Sequence, residues 1–426
     1  MKNKGKRLVL ALVIVLNILF LQVHVCAETI FSASAECIKG QQVKIHIYMD
    51  KDSNVSGIDI FQSDQENGEY QLVGNMDFDA NDYYDYMEDD YETWDDYYEN
   101  GKLDLVYMDT QPHTLYRQYY YQIKAYVFDE DGNKLYLQSA STNVMIEADG
   151  PIITYGKRYG KNGIRLKWSK VPDADGYLVY RTQNYDKKSN YIYVDTDDVS
   201  QYKLVKTIKS KSSCNVIFKK LMNGVTYTYR VYAYKMVDGK KVLTLPSEAK
   251  SILMDYYSNS SETYAQQVKR AFGSEKKKKK NFKTASKASK QMKQIKIKVW
   301  DFKNGKKGKK VTRTKWLTVN KRMAPSIKAM FDELYKSKEK QVIHDIGCYS
   351  YRYGEHMYGL AIDINPNENY MIDGKKKMAG SFWKPKKNKY SIPLNCEFVR
   401  IMERYGFRRG FWGDRKDYMH FSYFGT

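Results

Sequence analysis

Alternating hydrophobic and polar positions dominate the chain before residue 253 and predict short β-strands. The segment YYYQIKAYVFDEDGNKLYLQSAST, from Tyr119, aligns with YTYRVYAYKMVDGKKVLTLPSEAK, from Tyr227, at an offset of 108 residues with a one-residue slip in the turn. In both segments the alternation has the period of two that is typical of a half-buried strand, and an Asp-Gly pair marks the turn to a second strand. The repeat predicts two domains that each end in a β-hairpin.

The second repeat also contains GIRLKWSKVPDADGYLVYRT, which resembles fibronectin type III domains in its core Trp and in the strand that follows. The resemblance implies a β-sandwich of about 100 residues, over residues 149–252. The first repeat, residues 28–148, is similar only in its last third. Neither repeat has a catalytic constellation, so we expect them to be spacers or wall-binding modules. The matching positions are Trp168, Ala174, Gly176, Tyr177, Val179 and Tyr180.

From residue 281 the pattern changes to a mixture of helical and strand periodicity. IKIKVW, from Ile295, alternates as a strand, APSIKAMFDELY has an apolar helical face, and QVIHDIG is predicted as another strand. A second helix around Phe398 has Asn395 as a candidate N-cap and Gly406 in the stop position. Residues 281–426 are therefore predicted to form an α+β domain, and the fold class is multidomain, with two β-sandwiches before it.

The first 27 residues have the pattern of an export signal. Four Lys or Arg residues precede the apolar run Leu8–Leu21, and Val25-Cys26-Ala27 offers compact residues at a cleavage site. The mature chain would begin at Glu28 and be secreted or associated with the bacterial cell wall. The apolar run is shorter than the roughly 20 residues that span a bilayer, so an uncleaved anchor is the alternative interpretation and the only predicted route to a membrane.

Charge is distributed unevenly along the chain. Residues 28–148 hold 25 acidic and 7 basic residues, net −18, whereas the chain from residue 149 onward holds 25 acidic and 60 basic residues, net +35. An exported basic protein meets an anionic wall or membrane surface before it meets nucleic acid, so no nucleic-acid partner is predicted. Anionic cell-wall polymers are one interpretation of the charge, and a merely solvated surface is the other.

The segment 253–280 is predicted to be a basic linker. It contains the unbroken run Lys276–Lys280, and like-charge blocks of this kind repel and stay extended. The stretch TYAQQVKRAF within it has enough helical character for a short helix.

The tract from Asp77 to Asn100 is dense in Asp, Glu and Tyr. Calcium binding through its carboxylates is one interpretation. A solvated insertion between two strands is the favoured one, because the tract lacks the regular ligand spacing and the glycine of an EF-hand loop.

Four cysteines follow the predicted signal, at positions 37, 214, 348 and 396. An exported protein could form a Cys348–Cys396 disulfide. Sequence cannot establish the pairing, and buried free thiols are the favoured interpretation.

Two motifs in the C-terminal region carry candidate metal chemistry, HMYGLAIDIN from His356 and DYMHF from Asp417. Catalytic zinc sites usually take three protein ligands and leave a fourth position open for water. His356, Asp363 and His420 fit that count, which leaves Asp417 as a base. In an extended strand Asp417 and His420 would face opposite ways, so a turn or bulge near Asp417 is predicted.

The ordered set CYSYR, HMYGLAIDIN, SFWKP, YSIP and FWGDRKDYMHF resembles the VanY-type zinc D-alanyl-D-alanine carboxypeptidases and their L-alanyl-D-glutamate endopeptidase relatives. The resemblance covers about a third of the chain and implies the small α+β fold of the lysostaphin and hedgehog zinc domains. It also implies one zinc ion held by His356, Asp363 and His420, with Asp417 as general base and acid. Arg352 resembles the family arginine that holds a substrate carbonyl or carboxylate.

The function implied is a secreted zinc metallopeptidase that hydrolyses amide bonds in peptidoglycan stem peptides, with Asp417 activating the water on zinc. It would be a D,D-carboxypeptidase or a stem-peptide endopeptidase. Gly354 stands where the family commonly has Ser, and Arg352 lies closer to His356 than usual, so the bond specificity is not carried over. The alternative is a catalytically silent zinc protein that binds the cell wall. Oligomeric state is not predicted.

Overall fold

The structure is a computed structural model that describes residues 31–50, 53–78, 102–186, 190–305, 308–352 and 354–425. The predicted signal, residues 1–27, and nearly all of the acidic tract lie outside these ranges. The predictions of export and of calcium binding therefore concern residues outside the described part of the chain. Within the described ranges, no helix is both long enough and apolar enough to cross a membrane.

Contacts divide the chain into two compact units. The first contains the chain up to Gly150 together with residues 171–175 and 232–246. The second contains residues 151–170, 176–231 and 247–426. Most of the second repeat therefore belongs to the same unit as the C-terminal region.

The first repeat forms a three-stranded and a four-stranded antiparallel sheet. Its strands are β1 (Phe31–Ile38), β2 (Gln42–Asp50), β3 (Gly57–Ser63), β4 (Gln71–Asp77), β5 (Lys102–Asp109), β6 (Gln118–Phe128) and β7 (Lys134–Met145). One sheet has the order β1-β2-β5 and the other β4-β3-β6-β7. Alternate residues of β2 and β6, such as Val43, Ile45 and Ile123, are buried in a shared core. The sandwich predicted for this repeat is confirmed, and the acidic tract falls between strands β4 and β5.

The second repeat has the same division into sheets. Its strands are β8 (Ile153–Tyr159), β9 (Gly163–Trp168), β10 (Gly176–Gln183), β11 (Tyr185–Asp186), β12 (Asn190–Tyr191), β13 (Lys203–Ile208), β14 (Asn215–Phe218), β15 (Thr226–Val237), β16 (Lys240–Leu243) and β17 (Lys250–Leu253), with a 3₁₀ turn at Val199–Gln201. One sheet is β14-β9-β8, and the larger one is β13-β10-β15-β16, with β17 also paired to β15; β11 and β12 form a separate two-stranded sheet. Trp168 packs edge-on against Tyr177 at 5.5 Å between ring centroids. The predicted core Trp is therefore in the core.

Three helices form between residues 264 and 289, so the prediction that the run Lys276–Lys280 stays extended is wrong. The helices are α1 (Tyr264–Ala271), α2 (Glu275–Asn281) and α3 (Ala285–Ser289). A capping box between Thr263 and Gln266 begins α1, which confirms the short helix expected in this stretch. Val268 and Phe272 are buried in the C-terminal core. These apolar contacts outweigh the repulsion between lysines.

Lys278 differs from the other lysines of the run. Its Nζ lies 5.5 Å from the ring centroid of Phe272 and 5.3 Å from that of Phe424. Cation–π contacts of this kind hold a lysine against aromatic surface. The lysines on either side of it remain exposed.

The C-terminal region packs a long hairpin and two helices with a six-stranded sheet. Its elements are β18 (Met292–Phe302), β19 (Lys310–Asn320), α4 (Ala324–Lys336), β20 (Ile346–Gly347), β21 (Ala361–Ile364), β22 (Asn369–Asp373), β23 (Lys376–Trp383), α5 (Glu397–Arg404), β24 (Arg408–Trp412) and β25 (Arg415–Ser422). The sheet order is β20-β21-β25-β22-β23, and β24 also pairs with β25. Ile327 and Phe331 of α4 join Ile362 and Phe398 in one core. The helix predicted for APSIKAMFDELY is confirmed.

Two local predictions differ from the structure. Of the predicted strand QVIHDIG, only Ile346–Gly347 pairs as a strand, while Val342 makes an isolated parallel bridge with Trp300. The N-cap of α5 is Cys396, without a side-chain cap bond, and not Asn395. The apolar pattern located both segments but did not determine their ends.

The four cysteines in the described residues are free thiols. Cys348 and Cys396 are both buried in the C-terminal core. The favoured interpretation of buried free thiols is confirmed for these two.

Candidate metal centre

Three candidate ligands converge on one carboxylate. Asp363 of β21 is the direct cross-strand partner of His420 of β25, and His420 Nδ1 lies 3.0 Å from Asp363 Oδ1. His356 sits on a 3₁₀ turn, Glu355–Tyr358, just before β21, and its Nε2 lies 3.1 Å from Asp363 Oδ2. One ligand atom from each of the three residues lies within 4.8 Å of the others. The structure thus brings together the three residues predicted from sequence.

An irregular bulge in β25 places Asp417 beside the cluster of His356, Asp363 and His420. Asp417 pairs with β22, whereas His420 pairs with β21, so β25 changes neighbours between them. On its other side, Gly410 of β24 pairs with Asp417, while the preceding Arg409 pairs with Phe421. Three residues of β25 therefore stand between two consecutive pairs on β24. This is the irregularity predicted near Asp417.

The ring orientation of His356 suits a metal ligand. His356 Nδ1 lies 2.5 Å from the carbonyl oxygen of Cys348 and donates to it, so Nε2 is the ring nitrogen that faces Asp363. That Nε2 is buried and lacks a hydrogen-bond partner of good geometry. A backbone carbonyl that fixes the tautomer of a ligating histidine is a common second contact at metal sites. The donor set therefore fits a zinc ion.

Asp363 is held in its charged form. Burial acts to raise the pKa of Asp363, but hydrogen bonds and charge interactions with His356 and His420 outweigh burial and lower the pKa below its ordinary value. Burial acts to lower the pKa of His420, and its hydrogen bond to Asp363 outweighs that and raises the pKa. A cation replacing the protons on these histidines would find a carboxylate that is already ionised.

Asp417 is a buried carboxyl group of which one oxygen, Oδ1, has no hydrogen-bond partner, while the carboxyl group also has a hydrogen bond with the Met419 backbone. It is 9% exposed, and its Oδ1 is buried with no hydrogen bond. The pKa of Asp417 is raised to about 6, mainly by burial. The charge of Asp363 also acts to raise this pKa, and that of His420 acts to lower it. A carboxyl group with a pKa near neutrality, within a cluster of metal-ligating groups, is suited to move protons.

Arg352 reaches the same carboxylate from the exposed side. Its Nη2 lies 3.2 Å from Asp363 Oδ2, and its side chain is 57% exposed. The structure therefore places Arg352 next to the three candidate ligands. Gly354, which stands where the family commonly has Ser, has a φ of 99°. That backbone conformation favours glycine over other residues, which accounts for a glycine at this position.

Sequence reasoning missed three contributors. The Cys348 carbonyl that fixes His356 has no sequence signal, since any residue supplies a carbonyl. Glu355 is buried and accepts the Phe424 backbone N–H at 2.9 and 3.1 Å. Arg409 lies beside the bulge, and its sequence context, RRGFW, gives no indication of it.

Two aromatic residues of the C-terminal region, Tyr390 and Trp412, have packing partners. Tyr390 is 5% exposed and donates to Asp301 Oδ1 at 2.7 Å. Trp412 donates to the Gly425 carbonyl at 2.7 Å, and its ring centroid lies 5.6 Å from that of His420. Tyr390 is a packing residue, and Trp412 borders the candidate metal ligands.

Three candidate ligand donors with a buried carboxyl group beside them resemble the donor sets that metal-dependent hydrolases use. Residues 350–423 match the family model described as D-alanyl-D-alanine carboxypeptidase, and this segment contains all five predicted site residues. The VanY-type resemblance of the C-terminal third is thereby confirmed. No curated protein matches the chain.

Solved structures similar to the chain carry fibronectin-type domains. They include the FN1-FN3 domains of chicken CNTN1, which match at 14% sequence identity with a TM-score of 0.20. The match covers 52% of this chain and 62% of that chain. A Fn3-like protein from Clostridium thermocellum matches at 24% identity, 24% of this chain, 88% of that chain and a TM-score of 0.18. A two-domain fibronectin type III segment of chicken tenascin matches at 10% identity, 51% of this chain, 95% of that chain and a TM-score of 0.20. The match spans less than two thirds of the CNTN1 segment. Because these TM-scores are low, the assignment of the two repeats as sandwiches depends on their strand pairing and not on these matches.

We expect the metal-free protein to show a pH-dependent contribution from Asp363. Its folded-state pKa is lowered from an unfolded value of about 3.9, so the stabilisation is present above that pH and is lost as pH falls through the folded pKa. The raised pKa of His420 contributes stability below about pH 6.5 that is lost as pH rises. In chelator-treated protein, the difference in Tm between the wild type and Asp363→Asn should be largest between about pH 4 and 6.5.

The matched control for this experiment is Asp373→Asn. Asp373 pairs with Arg415 at 3.1 Å, and both side chains are nearly half exposed, so its replacement should change Tm little at any pH. A difference between wild type and Asp363→Asn that stays constant from about pH 3 to 8 would contradict the charge assignment.

Proposed function

We propose that the chain is a secreted zinc metallopeptidase that hydrolyses amide bonds in peptidoglycan stem peptides, through an α+β domain at residues 281–426. The observation that carries the proposal is the largely buried cluster of His356, Asp363 and His420 with the buried carboxyl of Asp417, whose Oδ1 has no hydrogen bond, inside a segment that matches a carboxypeptidase family model. A purely structural metal site does not require the fourth group.

His356, Asp363 and His420 would hold one zinc ion. When bound, zinc would lower the pKa of a coordinated water to about 7 and polarise the scissile carbonyl. Asp417 would accept a proton from the attacking water and return it to the leaving amine. Its raised pKa suits both directions of transfer, because a carboxyl group with a pKa of about 6 holds and releases a proton near neutral pH.

Arg352 would bind the substrate on the open side of the cluster. A guanidinium group forms strong, directed bonds to a carboxylate or carbonyl oxygen. With 57% of its side chain exposed, Arg352 can move from Asp363 to a substrate without an opening step. A terminal D-Ala carboxylate and an internal stem carbonyl both fit this chemistry.

Export and anionic cell-wall polymers complete the proposal. The export signal is supported by the basic start and apolar run of the first 27 residues. Lys276, Lys277, Lys279 and Lys280 are exposed on α2, which supports contact with phosphate-rich wall polymers. The two sandwiches would act as spacers or wall-binding modules.

The test is digestion of purified peptidoglycan, followed by mass spectrometry of the products. We expect release of D-Ala or of internal stem fragments, loss of that release with a chelator, and recovery with added zinc. A folded, zinc-loaded protein that releases neither product would overturn the proposal and favour the silent wall-binding alternative.

A further inference from the structure

Arg409 and Gly410 of β24 lie directly against the bulge of β25. We propose that this pair positions Asp417 and His420 for the reaction, an inference that rests on the proposed function. Neither residue would touch substrate or metal, so both are positioning residues.

Arg409 fixes the backbone of the bulge. It is 8% exposed, and its Nε and Nη2 donate to the Tyr418 carbonyl at 3.1 and 2.9 Å. The same guanidinium donates to the carbonyls of Pro393 at 2.8 Å and Ile392 at 3.0 Å. Tyr418 is the first residue of the bulge, immediately after Asp417. Arg409 therefore ties the bulged backbone to a segment outside the sheet, and a guanidinium can do this because its five donors are arranged in a rigid plane.

Gly410 leaves the space in which the two functional side chains meet. A Cβ at this position would lie 3.1 Å from the Cβ of Asp417 and 3.1 Å from that of His420, and 2.8 Å from Cη2 of Trp412. Both Cβ atoms therefore lie over one backbone position of β24. Any larger residue at this position would push the base away from the ligand or tilt Trp412.

A general role in stability is the competing explanation, and Arg404 provides the control for it. Arg404 is also a buried arginine of this region, 1% exposed, and it donates to the Asn223 carbonyl at 2.8 Å and to the carboxylate of Glu333. None of these partners belongs to the candidate metal centre. Arg404→Met thus removes a buried guanidinium without touching the bulge.

The experiment compares Arg409→Met and Arg404→Met at a temperature at which circular dichroism shows both to be folded. For Arg409→Met we expect kcat to fall by about 10- to 100-fold with KM nearly unchanged, since misplacement by about 1 Å can cost about 10²-fold. Its zinc dissociation constant should also rise, because His420 is the last residue of the bulge. Arg404→Met should keep the kcat and zinc affinity of the wild type. A folded Arg409→Met with wild-type kcat and zinc affinity would overturn the role of Arg409.

Gly410→Ala is the second variant, and it does not depend on a buried charge. We expect its kcat to fall by about tenfold or more, and wild-type kcat and zinc affinity in the folded variant would overturn the role of Gly410. If Arg409→Met fails to fold, Gly410→Ala and Arg409→Lys are the deciding variants. The proposal would be rejected if both of these variants retained the full kcat. Zinc affinity is measured independently of turnover. A wild type that binds zinc without cleaving stem peptides would refute the proposed function, while weaker zinc binding in Arg409→Met than in Arg404→Met would still support the positioning of His420.

Discussion

Asp417→Asn is expected to lower kcat on stem peptides by about 10²–10⁴-fold, the usual contribution of a general acid–base group, while one zinc ion stays bound. Asn occupies nearly the same volume as Asp, but it cannot accept a proton at neutral pH. The three candidate ligands are not altered by the change. Steady-state kinetics and metal analysis of the purified variant give the two measurements.

The pH profile distinguishes loss of a base from a general disturbance. Asp417 must be ionised to accept a proton, so kcat/KM of the wild type should rise with pH through the pKa of Asp417, which burial raises to about 6. A bound cation lowers that pKa, because it favours the charged form, and the acid limb should lie at or below pH 6. This limb should disappear from the residual activity of Asp417→Asn.

Asp414→Asn is the matched control for this variant. Asp414 is an exposed residue three positions earlier, in the turn before β25. Its replacement removes the same charge without changing the buried cluster, so activity should stay within about twofold of the wild type. Loss of zinc from Asp417→Asn would refute the assignment of Asp417 as a non-ligand.

The sequence predicted the members of the candidate metal centre better than it predicted their support. His356, Asp363, His420 and Asp417 were identifiable because a metal site restricts residue type and chain order. The bulge was identifiable as a requirement, since the strand period of two places Asp417 and His420 on opposite faces. The cause of the bulge was not identifiable from sequence. The change of the paired strand from β22 to β21 and the contacts of Arg409 both depend on segments that are distant in the chain.

The same distinction applies to the fold. Alternation in β6 predicted a half-buried strand, and alternate residues of β6 are buried. The prediction of a half-buried strand is wrong for β15, which is buried on both faces over most of its length. The run Lys276–Lys280 was misleading, since Val268 of α1 and Phe282, which directly follows α2, are buried in the C-terminal core. Local charge predicted repulsion, but contacts made by residues just outside the run determine its conformation.

His356→Ala is expected to abolish both stoichiometric zinc binding and stem-peptide cleavage. Loss of a contact that only orients a ligand already costs about 10- to 100-fold in metal affinity, so loss of a direct ligand should cost more than about 100-fold. The substitution also removes the imidazole N–H that donates to the Cys348 carbonyl, and it thus disturbs the turn before β21. Metal analysis after dialysis and kinetics at saturating substrate are the measurements.

His344→Ala is the control that isolates the ligand effect. His344 belongs to the same region, is 36% exposed, and its Nε2 lies 2.9 Å from Glu368 Oε2, outside the candidate metal cluster. Its replacement should leave zinc content at one ion per chain and kcat within about twofold of the wild type. Full zinc content in His356→Ala would show that the metal lies elsewhere. Zinc loss in both variants would show that either change unfolds the region, in which case Asp363→Asn, which preserves side-chain volume, becomes the deciding variant.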